Sequence, residues 1–286
     1  MITDKDLDYI FDNVDFTEIR DARIFITGGS GWFGRWLTAI LKKAGIEFDV
    51  LSRTSTGTIQ GDVRSFCYPD KKYTDIIYLA GESDIRHTLE FARKCNCQRF
   101  LFGSSGAVYG VTPPFPVSEE TQPLPTKAYG SQKYYAERLL ADFAESYRID
   151  YKIARCFSFV GAEMTFGWYA IGQFIKNVLE EKPIKYYDIG AVRSYMYMAD
   201  WVIWILTILT KGHQVYNVGS EKSISIVELA TLIGDMYDLK VYKESPEKFE
   251  GILKYVPVTK KARENLGLKE GVGLTEAIKR TVNSMR

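Results

Sequence analysis

The chain has 286 residues, 46% of them apolar, which is enough for one large α/β domain or for a domain with a smaller lobe. Because 37 Lys and Arg residues nearly balance 36 Asp and Glu residues, no net field attracts nucleic acid. No apolar run in the sequence reaches the roughly 18 residues of a membrane span. The start, Met1 to Asp6, shows no basic-then-apolar signal pattern, and Cys95 and Cys97 lack a second ligand pair for a metal. We therefore expect a reduced, cytoplasmic protein without a metal site, a nucleic-acid partner or a membrane partner.

Residues 1–21 precede the first buried strand and are predicted to form a helical appendage. Leu7, Ile10, Phe11 and Val14 recur at the spacing of one helix face. The appendage is expected to pack on the body of the protein through these side chains.

The strand Ile24 to Thr27 is followed by glycines at three-residue intervals, Gly28, Gly31 and Gly34, and then by a helical apolar pattern. Such a turn permits positive φ, brings bare backbone to a pyrophosphate and allows close contact between helix and strand. The spacing differs from the commonest G-x-G-x-x-G fingerprint, so an ordinary glycine-rich turn is the alternative. The pattern favours a dinucleotide cradle.

Strands and helices then alternate up to about residue 155. Strands are predicted at 47–52, 76–80, 99–104 and 151–155, and helices at 36–44, 84–94 and from 128 onward. This alternation predicts a parallel sheet with right-handed crossovers. Beyond Gly161 the pattern changes, and Ser225 with Glu228 predicts a capping box before a helix that runs through Met236, so the last third reads as a smaller, partly interleaved lobe.

The second strand ends in Ser52 and Arg53, where an NAD site would place Asp or Glu on the ribose 2′-hydroxyl. A hydroxyl followed by a guanidinium would bind a 2′-phosphate through charge-assisted hydrogen bonds, so NADP is favoured and NAD stays possible; the alternative is that Arg53 faces solvent. Asp62 and Val63 are placed to meet the adenine edge, although a turn aspartate is an equally good interpretation of Asp62.

Tyr129 and Lys133 share one face of a predicted helix because they are four residues apart. A cation beside a phenol lowers its pKa, which suits proton exchange near neutral pH, although an exposed helix pair is the usual explanation of such spacing. Ser104 and Ser105 end the preceding strand, at the edge where ligands bind in parallel sheets, and would orient a substrate oxygen against the phenol.

These motifs together resemble the extended short-chain dehydrogenase/reductases, the nucleotide-sugar epimerase/dehydratase family. The resemblance runs from Ile24 to about Val282. The matching segments are 27–34, 61–64, 79–81, 104–110, 129 with 133, 155–158, 193–195, 197 with 200, 216–219 and 261–267.

The resemblance implies an α/β fold: a Rossmann-type doubly wound parallel sheet over residues 22–160, to which parts of 194–220 return, and a smaller C-terminal α/β lobe over 161–286 for the nucleotide-sugar substrate. It implies a homodimer formed by helices near 84–95 and 128–147. The resemblance also implies a catalytic trio of Ser105, Tyr129 and Lys133. It implies substrate contacts from Ser104, Ser105, Ser158 and Arg193, of which Arg193 would contact the diphosphate. The implied cofactor contacts are Gly28, Ser30, Gly31, Trp32, Phe33, Gly34, Ser52, Arg53, Asp62, Val63, Leu79, Ala80, Gly81, Tyr129 and Lys133.

Departures from the family pattern narrow the expected reaction. Relatives that dehydrate a 4-keto sugar carry an Asp-Glu pair after the catalytic hydroxyl residue, whereas this chain has Gly106 and Ala107, so dehydration is not expected. The same alanine replaces the glutamate of the decarboxylating members, no cysteine follows Ser105 as in the 3,5-epimerase/reductases, and Ser158 replaces a common Asn. The leading hypothesis is an NADP-dependent 4-ketoreductase of a nucleotide-activated sugar. The alternatives are a nucleotide-sugar 4-epimerase with a tightly held NAD(P) and, in another class, a dinucleotide-sensing protein without catalysis.

Overall fold

Helices and strands alternate through the first half of the chain, as the sequence predicts. The computed structural model describes residues 1–54, 56–81, 84–111, 115–167, 169–187, 190–244 and 253–286. Its helices are α1 (Asp4–Asn13), α2 (Trp32–Lys43), α3 (Arg86–Lys94), α4 (Ala128–Tyr147), α5 (Ala170–Leu179), α6 (Met198–Lys211), α7 (Ile226–Tyr237), α8 (Lys260–Leu266) and α9 (Leu274–Met285). Its strands are β1 (Arg23–Thr27), β2 (Glu47–Ser52), β3 (Ile59–Gln60), β4 (Asp75–Tyr78), β5 (Arg99–Ser105), β6 (Asp150–Cys156), β7 (Phe159–Val160), β8 (Ile184–Tyr187), β9 (Val192–Ser194), β10 (Met196–Tyr197), β11 (Gln214–Val218), β12 (Ser223–Ser225), β13 (Val241–Glu244) and β14 (Lys254–Tyr255).

Within these described ranges, seven parallel strands form the main sheet in the order β11-β6-β5-β4-β1-β2-β3. The chain runs outward from β1 through β2 and β3 and then crosses to β4 on the other side of β1. The strand order therefore reverses between β1 and β4, and ligands of open α/β sheets bind outside the carboxyl ends of the strands at such a reversal. The predicted α/β class with a Rossmann-type doubly wound parallel sheet is confirmed.

The central strand β1 shows why helices cover both faces of this sheet. Ile24 and Ile26 are fully buried against α2 and α6, whereas Phe25 is buried in a second cluster with α3 and α4. Successive side chains of a strand point to opposite faces, and burying each of these side chains stabilises the fold by about 1.5–3 kcal/mol. An apolar residue at each of these positions therefore requires a helical layer on each side.

The C-terminal part of the chain builds small sheets of its own and also returns to the main sheet. The strand β9 pairs with β12 and β14, and β13 pairs with β8. The strand β11 lies at the edge of the main sheet beside β6. The capping box of Ser225 and Glu228 is present at the start of α7. No helix in the described part of the chain has the length and apolar character needed to cross a membrane.

The helix α1 connects elements that are distant in the sequence. The Tyr9 hydroxyl donates to Asp200 on α6 at 2.7 Å, and Arg280 on α9 donates to Asp6 at 3.1 Å. The N-terminal amine also donates to the carbonyl of Ser284 at 2.6 Å. Of the four predicted docking side chains, Ile10 is fully buried but Phe11 is 44% exposed. Leu7 and Val14 are partly buried against the same core as Ile10, so α1 docks through both apolar and polar contacts.

Candidate functional site

The glycine turn after β1 has the geometry of a phosphate cradle. Gly28 has φ +73°, and a Cβ there would lie 2.6 Å from the backbone of Leu79 and Ala80, which follow β4. A Cβ on Gly34 would lie 2.3 Å from Gly29 Cα. Because α2 begins at Trp32, its first amide groups point toward this bare turn, where they favour an anion.

A cavity of about 450 Å³ opens beside this turn, where the strand order reverses. It is lined by ten of the residues predicted to bind the cofactor, which are Gly28, Ser30, Gly31, Ser52, Arg53, Asp62, Val63, Leu79, Ala80 and Gly81. Leu51, Thr54, Gly61 and Arg64 complete the lining. The structure therefore brings together segments that follow β1, β2, β3 and β4, and the cavity suits one half of a dinucleotide.

Hydroxyl groups cluster at the end of β2, on the wall that would face the adenosine ribose. Ser52 Oγ lies 3.2 Å from Ser30 Oγ and 3.0 Å from Thr54 Oγ1, which lies 2.7 Å from Thr56 Oγ1. The side chain of Arg53 is exposed beside them. Sequence reasoning missed the two threonines, although hydroxyl residues directly after Ser52 were a readable signal. Several donors beside a guanidinium form a suitable environment for a phosphate group.

The structure places Asp62 both in the cavity lining and in a tight turn. It lines the cavity, and it also accepts from the backbone amide of Arg64 at 2.9 Å, as a turn aspartate does. Its carboxylate accepts two further hydrogen bonds from the Arg64 guanidinium, at 2.8 and 2.9 Å, and this pairing holds the pKa of Asp62 well below its ordinary value. The cavity wall at Asp62 is therefore an ion pair and not a lone negative charge.

Five predicted cofactor residues lie outside the lining of this cavity, namely Gly34, Tyr129, Lys133, Trp32 and Phe33. The Trp32 indole donates to the carbonyl of Ala162 at 2.8 Å. The Phe33 ring packs 4.8 Å from Trp201 and 5.4 Å from Phe159, measured between ring centroids. Their side chains thus brace the start of α2 against the C-terminal part of the chain.

The three residues of the predicted catalytic trio meet at the carboxyl edge of β5. Ser105 ends that strand, and its hydroxyl acts on the pKa of Tyr129, the second residue of α4, which is 51% exposed. Lys133, one helical turn later, is only 3% exposed; its ammonium donates to the carbonyl of Gly103 at 3.1 Å and lies 6.0 Å from the centroid of the Tyr129 ring. The arrangement presents a phenol to the cleft with a serine beside it and a buried cation behind it.

The pKa of Tyr129 differs from the sequence-based expectation. Lys133 was expected to lower it, but burial of the phenol raises the pKa above its ordinary value, and the hydrogen bond with Ser105 opposes this effect only in part. A phenol with a raised pKa holds its proton at neutral pH.

The structure does not bring Ser104 to the cleft beside Ser105. Its hydroxyl donates to Glu137 on α4 at 2.5 Å, and the residue is only 4% exposed. The physical reason is the alternation of side chains along a strand, which turns consecutive residues to opposite faces. The same rule, applied to the sequence, would have separated the two serines.

Ser158 and Arg193 also lie outside the 450 Å³ cavity. Arg193 donates to the backbone carbonyls of Val192 and Leu253 at 2.9 and 3.0 Å, and the carbonyl of Ser158 accepts from the amide of Met196 at 3.0 Å.

Tyr255 on β14 is a site residue that sequence reasoning missed. Its hydroxyl lies 3.4 Å from Ser105 Oγ, and its ring packs against Phe157 with centroids 4.7 Å apart. The two contacting residues, Ser105 and Tyr255, are 150 positions apart in the chain, so no local pattern pointed to this contact. A second phenol therefore stands beside the predicted catalytic serine.

Comparison with known proteins shows what the chain is similar to. Residues 82–219 match the profile of the NAD dependent epimerase/dehydratase family. A putative UDP-glucose 4-epimerase of Methanocaldococcus jannaschii is 26% identical over 299 residues, which cover 92% of this chain and 98% of the relative. The crystal structure of UDP-glucose 4-epimerase with UDP-glucose from Thermotoga maritima has a TM-score of 0.80 at 25% identity, covering 92% of this chain and 98% of that chain.

A further fold likeness is to Thermus thermophilus UDP-glucose 4-epimerase in complex with NAD, with a TM-score of 0.80 at 23% identity over 92% of this chain and 99% of that one. Together with the ordered motifs and the doubly wound sheet, these matches confirm the resemblance read from the sequence. Over residues 82–219 the chain is similar to the NAD dependent epimerase/dehydratase family.

Proposed function

We propose that the protein is a nucleotide-sugar 4-epimerase that uses a nicotinamide dinucleotide. The observation that carries this proposal is the meeting of Ser105, Tyr129 and Lys133 at the carboxyl edge of β5, beside the cavity of the glycine turn. Two relatives that match nearly their whole length are named as UDP-glucose 4-epimerases. They favour the epimerase over the 4-ketoreductase, which is the reverse of the order that the sequence alone suggested.

The surroundings of Gly106 support the absence of a dehydration step. A Cβ on Gly106 would lie 2.7 Å from the Phe157 ring and 2.8 Å from the Tyr255 hydroxyl. The space that an acidic side chain would need after Ser105 is therefore filled by two aromatic residues. This packing supports a reaction that needs no acid to expel a hydroxyl group from the sugar.

The residues present fit a dinucleotide, because added Cβ atoms at the glycine turn would fill the cradle and the cavity continues along β2 and β4. A bound nicotinamide supplies reversible hydride transfer at the sugar carbon C4. Tyr129 exchanges the proton of the C4 oxygen, and Ser105 orients that oxygen through its hydroxyl. Lys133 places a buried positive charge behind the phenol. Arg193 is the proposed partner of the substrate diphosphate.

One observation favours the second candidate, an NADPH-dependent 4-ketoreductase. The hydroxyl cluster of Ser52, Thr54 and Thr56 with the exposed Arg53 suits a 2′-phosphate. A reductase binds and releases its cofactor in every turnover, whereas an epimerase recovers it. We retain NADP as the favoured cofactor in the proposal, with NAD as the alternative.

The decisive experiment measures both retained nucleotide and turnover. The purified protein is denatured and the released nucleotide is quantified, and UDP-glucose and UDP-galactose are then assayed for interconversion without added cofactor. Stoichiometric nucleotide and interconversion support the epimerase. Turnover of a 4-keto sugar that consumes added NADPH supports the reductase and refutes the epimerase, and no turnover of either substrate favours a dinucleotide-sensing protein.

Tyr129→Phe tests whether the trio performs the reaction. Loss of the phenol that exchanges the proton is expected to lower kcat about 10²- to 10⁴-fold. Tyr242→Phe, which makes the same change at an exposed tyrosine on β13, is the matched control and is expected to behave as the wild type. Unchanged turnover in Tyr129→Phe would show that the catalytic assignment is wrong.

A homodimer and a cytoplasmic location are part of the same proposal. The helices α3 and α4 pack side by side, and α4 exposes the large side chains of Tyr135 and Tyr147. These exposed rings support an interface there. Sedimentation velocity that finds a monomer at micromolar concentration would refute the dimer.

A further inference from the structure

A buried polar network lies behind the predicted catalytic trio. Glu137 on α4 and Arg155 on β6 are 3% and 5% exposed, and the Arg155 guanidinium donates to both carboxylate oxygens, most closely at 2.7 Å. Arg155 also donates to the Tyr109 hydroxyl at 3.0 Å, which in turn donates to Asn217 at 2.7 Å. Buried charges are retained where such pairing is complete.

The network contacts β5 at Ser104, the residue directly before Ser105. The Ser104 hydroxyl donates to Glu137 Oε1 at 2.5 Å. Lys133, four residues before Glu137 on the same face of α4, donates to the carbonyl of Gly103. Two consecutive residues of β5 are therefore held by two side chains one turn apart on α4, so the helix and the end of the strand have a defined register.

The contact with Ser104 adds to the ion pair between Glu137 and Arg155. Glu137 Oε1 accepts from the Ser104 hydroxyl and from Arg155 Nε at 3.1 Å, whereas Oε2 receives the closest contact from Arg155, at 2.7 Å. The ion pair joins α4 to β6, and the hydrogen bond from Ser104 joins α4 to the carboxyl end of β5. Removing the Ser104 hydroxyl thus leaves the buried charges paired.

We propose that Glu137 is a positioning residue, which acts through the Ser104 hydroxyl to hold Ser105 at the correct distance from Tyr129. Ser105 and Ser104 are consecutive, so a shift of one moves the other. Displacements on the scale of 1 Å at a reacting group cost large factors in rate. The catalytic meaning of this inference rests on the proposed function, but the positioning itself can be measured without turnover.

The experiment titrates Tyr129 by NMR in protein labelled with ¹³Cζ-tyrosine, with its signal assigned through Tyr129→Phe. Ser105→Ala removes the hydrogen bond that lowers the pKa of Tyr129, and it is expected to raise that pKa. Ser104→Ala is expected to raise it in the same direction, because Ser105 is no longer held. Ser104→Thr restores the hydroxyl and is expected to return the titration toward that of the wild type.

The control removes a buried hydroxyl elsewhere. Thr88 on α3 is fully buried, and its hydroxyl has no hydrogen-bond partner among the described residues, so Thr88→Val is expected to leave the Tyr129 titration unchanged. With an active substrate, Ser104→Ala is expected to lower kcat about tenfold with little change in KM, because geometry and not binding is altered.

Two results would overturn the proposal. A wild-type Tyr129 titration in Ser104→Ala, with a raised pKa in Ser105→Ala, would show that Ser104 does not position Ser105. An unchanged titration in Ser105→Ala would show that there is no coupling for Glu137 to act on. If the wild type turned over no nucleotide sugar, the proposed function would fail while the titration still decided the positioning role.

Discussion

The contact between Tyr9 and Asp200 gives the sharpest test of how the N-terminal helix is attached. Tyr9→Phe removes one hydroxyl and leaves the ring. Asp200 is fully buried and keeps two backbone donors, the amides of Gly271 and Val272 at 3.1 and 3.0 Å. The variant therefore removes one of three described donors from a buried carboxylate.

The cost follows from the chemistry of that bond. A hydrogen bond to a charged group is worth about 1.5–3 kcal/mol, and because two donors remain we expect about 1.5 kcal/mol. At about 2–4 °C per kcal/mol for a chain of this size, Tm should fall by about 3–6 °C. Tyr242→Phe makes the same chemical change at an exposed ring and should leave Tm unchanged.

The loss should also depend on pH. Burial raises the pKa of Asp200, and the Tyr9 hydrogen bond partly counteracts this because it favours the charged form. A carboxyl group whose pKa is raised in the folded state adds to the free energy of unfolding. This contribution is fully present below the pKa of the unfolded state and is lost as pH rises through the pKa of the folded state. In Tyr9→Phe the pKa rises further, so the difference from wild type should grow as pH rises through the pKa of Asp200. Thermal unfolding at several pH values measures this, and equal Tm values for the two proteins at neutral pH would refute the reasoning.

Three further variants test other parts of the structure. Arg53→Ala is expected to weaken NADP binding about 5- to 30-fold, the equivalent of about 1–2 kcal/mol, and to leave NAD binding unchanged; equal effects on both cofactors in calorimetry would refute a 2′-phosphate role. Glu137→Ala leaves the Arg155 guanidinium buried without its carboxylate and should lower the free energy of unfolding in urea by about 3–5 kcal/mol. The double variant Glu137→Leu with Arg155→Met should recover most of this loss. A single variant as stable as the wild type would contradict this view. Gly28→Ala should abolish dinucleotide binding, whereas Gly45→Ala, at φ +69° with nothing described within 4 Å of the added Cβ, should cost only about 1–2 kcal/mol and bind normally; similar binding by the two variants would mean that the cradle is misassigned.

The sequence predicted features whose causes are local. The bounds of β2 agree with prediction, and so does the capping box of α7, because each depends on residues within a few positions of one another. The glycine turn is also a local feature, since Gly28 has a positive φ of +73°, which glycine adopts without steric cost. The parallel arrangement of the strands followed from the alternation of strands and helices.

Contacts between distant segments could not be read from the sequence. Tyr255 reaches Ser105 only because the lobe folds back over the sheet edge. The hydrogen bond from Lys133 to the carbonyl of Gly103 likewise joins segments 30 residues apart in the chain. Glu137 was within reach of sequence reasoning, because it continues the four-residue row of Tyr129 and Lys133 along α4. Its partner Arg155, however, is supplied by the neighbouring strand β6.

The attachment of α1 has a consequence for the order of assembly during synthesis. The hydrogen-bond partner of Tyr9 lies 191 residues further along the chain, and that of Asp6 lies 274 residues further along. The helix α1 is therefore synthesised long before the partners of its polar contacts. Such long loops are costly to close early, so α1 should dock after the sheet has formed. A nascent chain stopped before α9 should leave Asp6 without Arg280. Protease cleavage near residue 13 would then report how far synthesis must proceed before α1 docks.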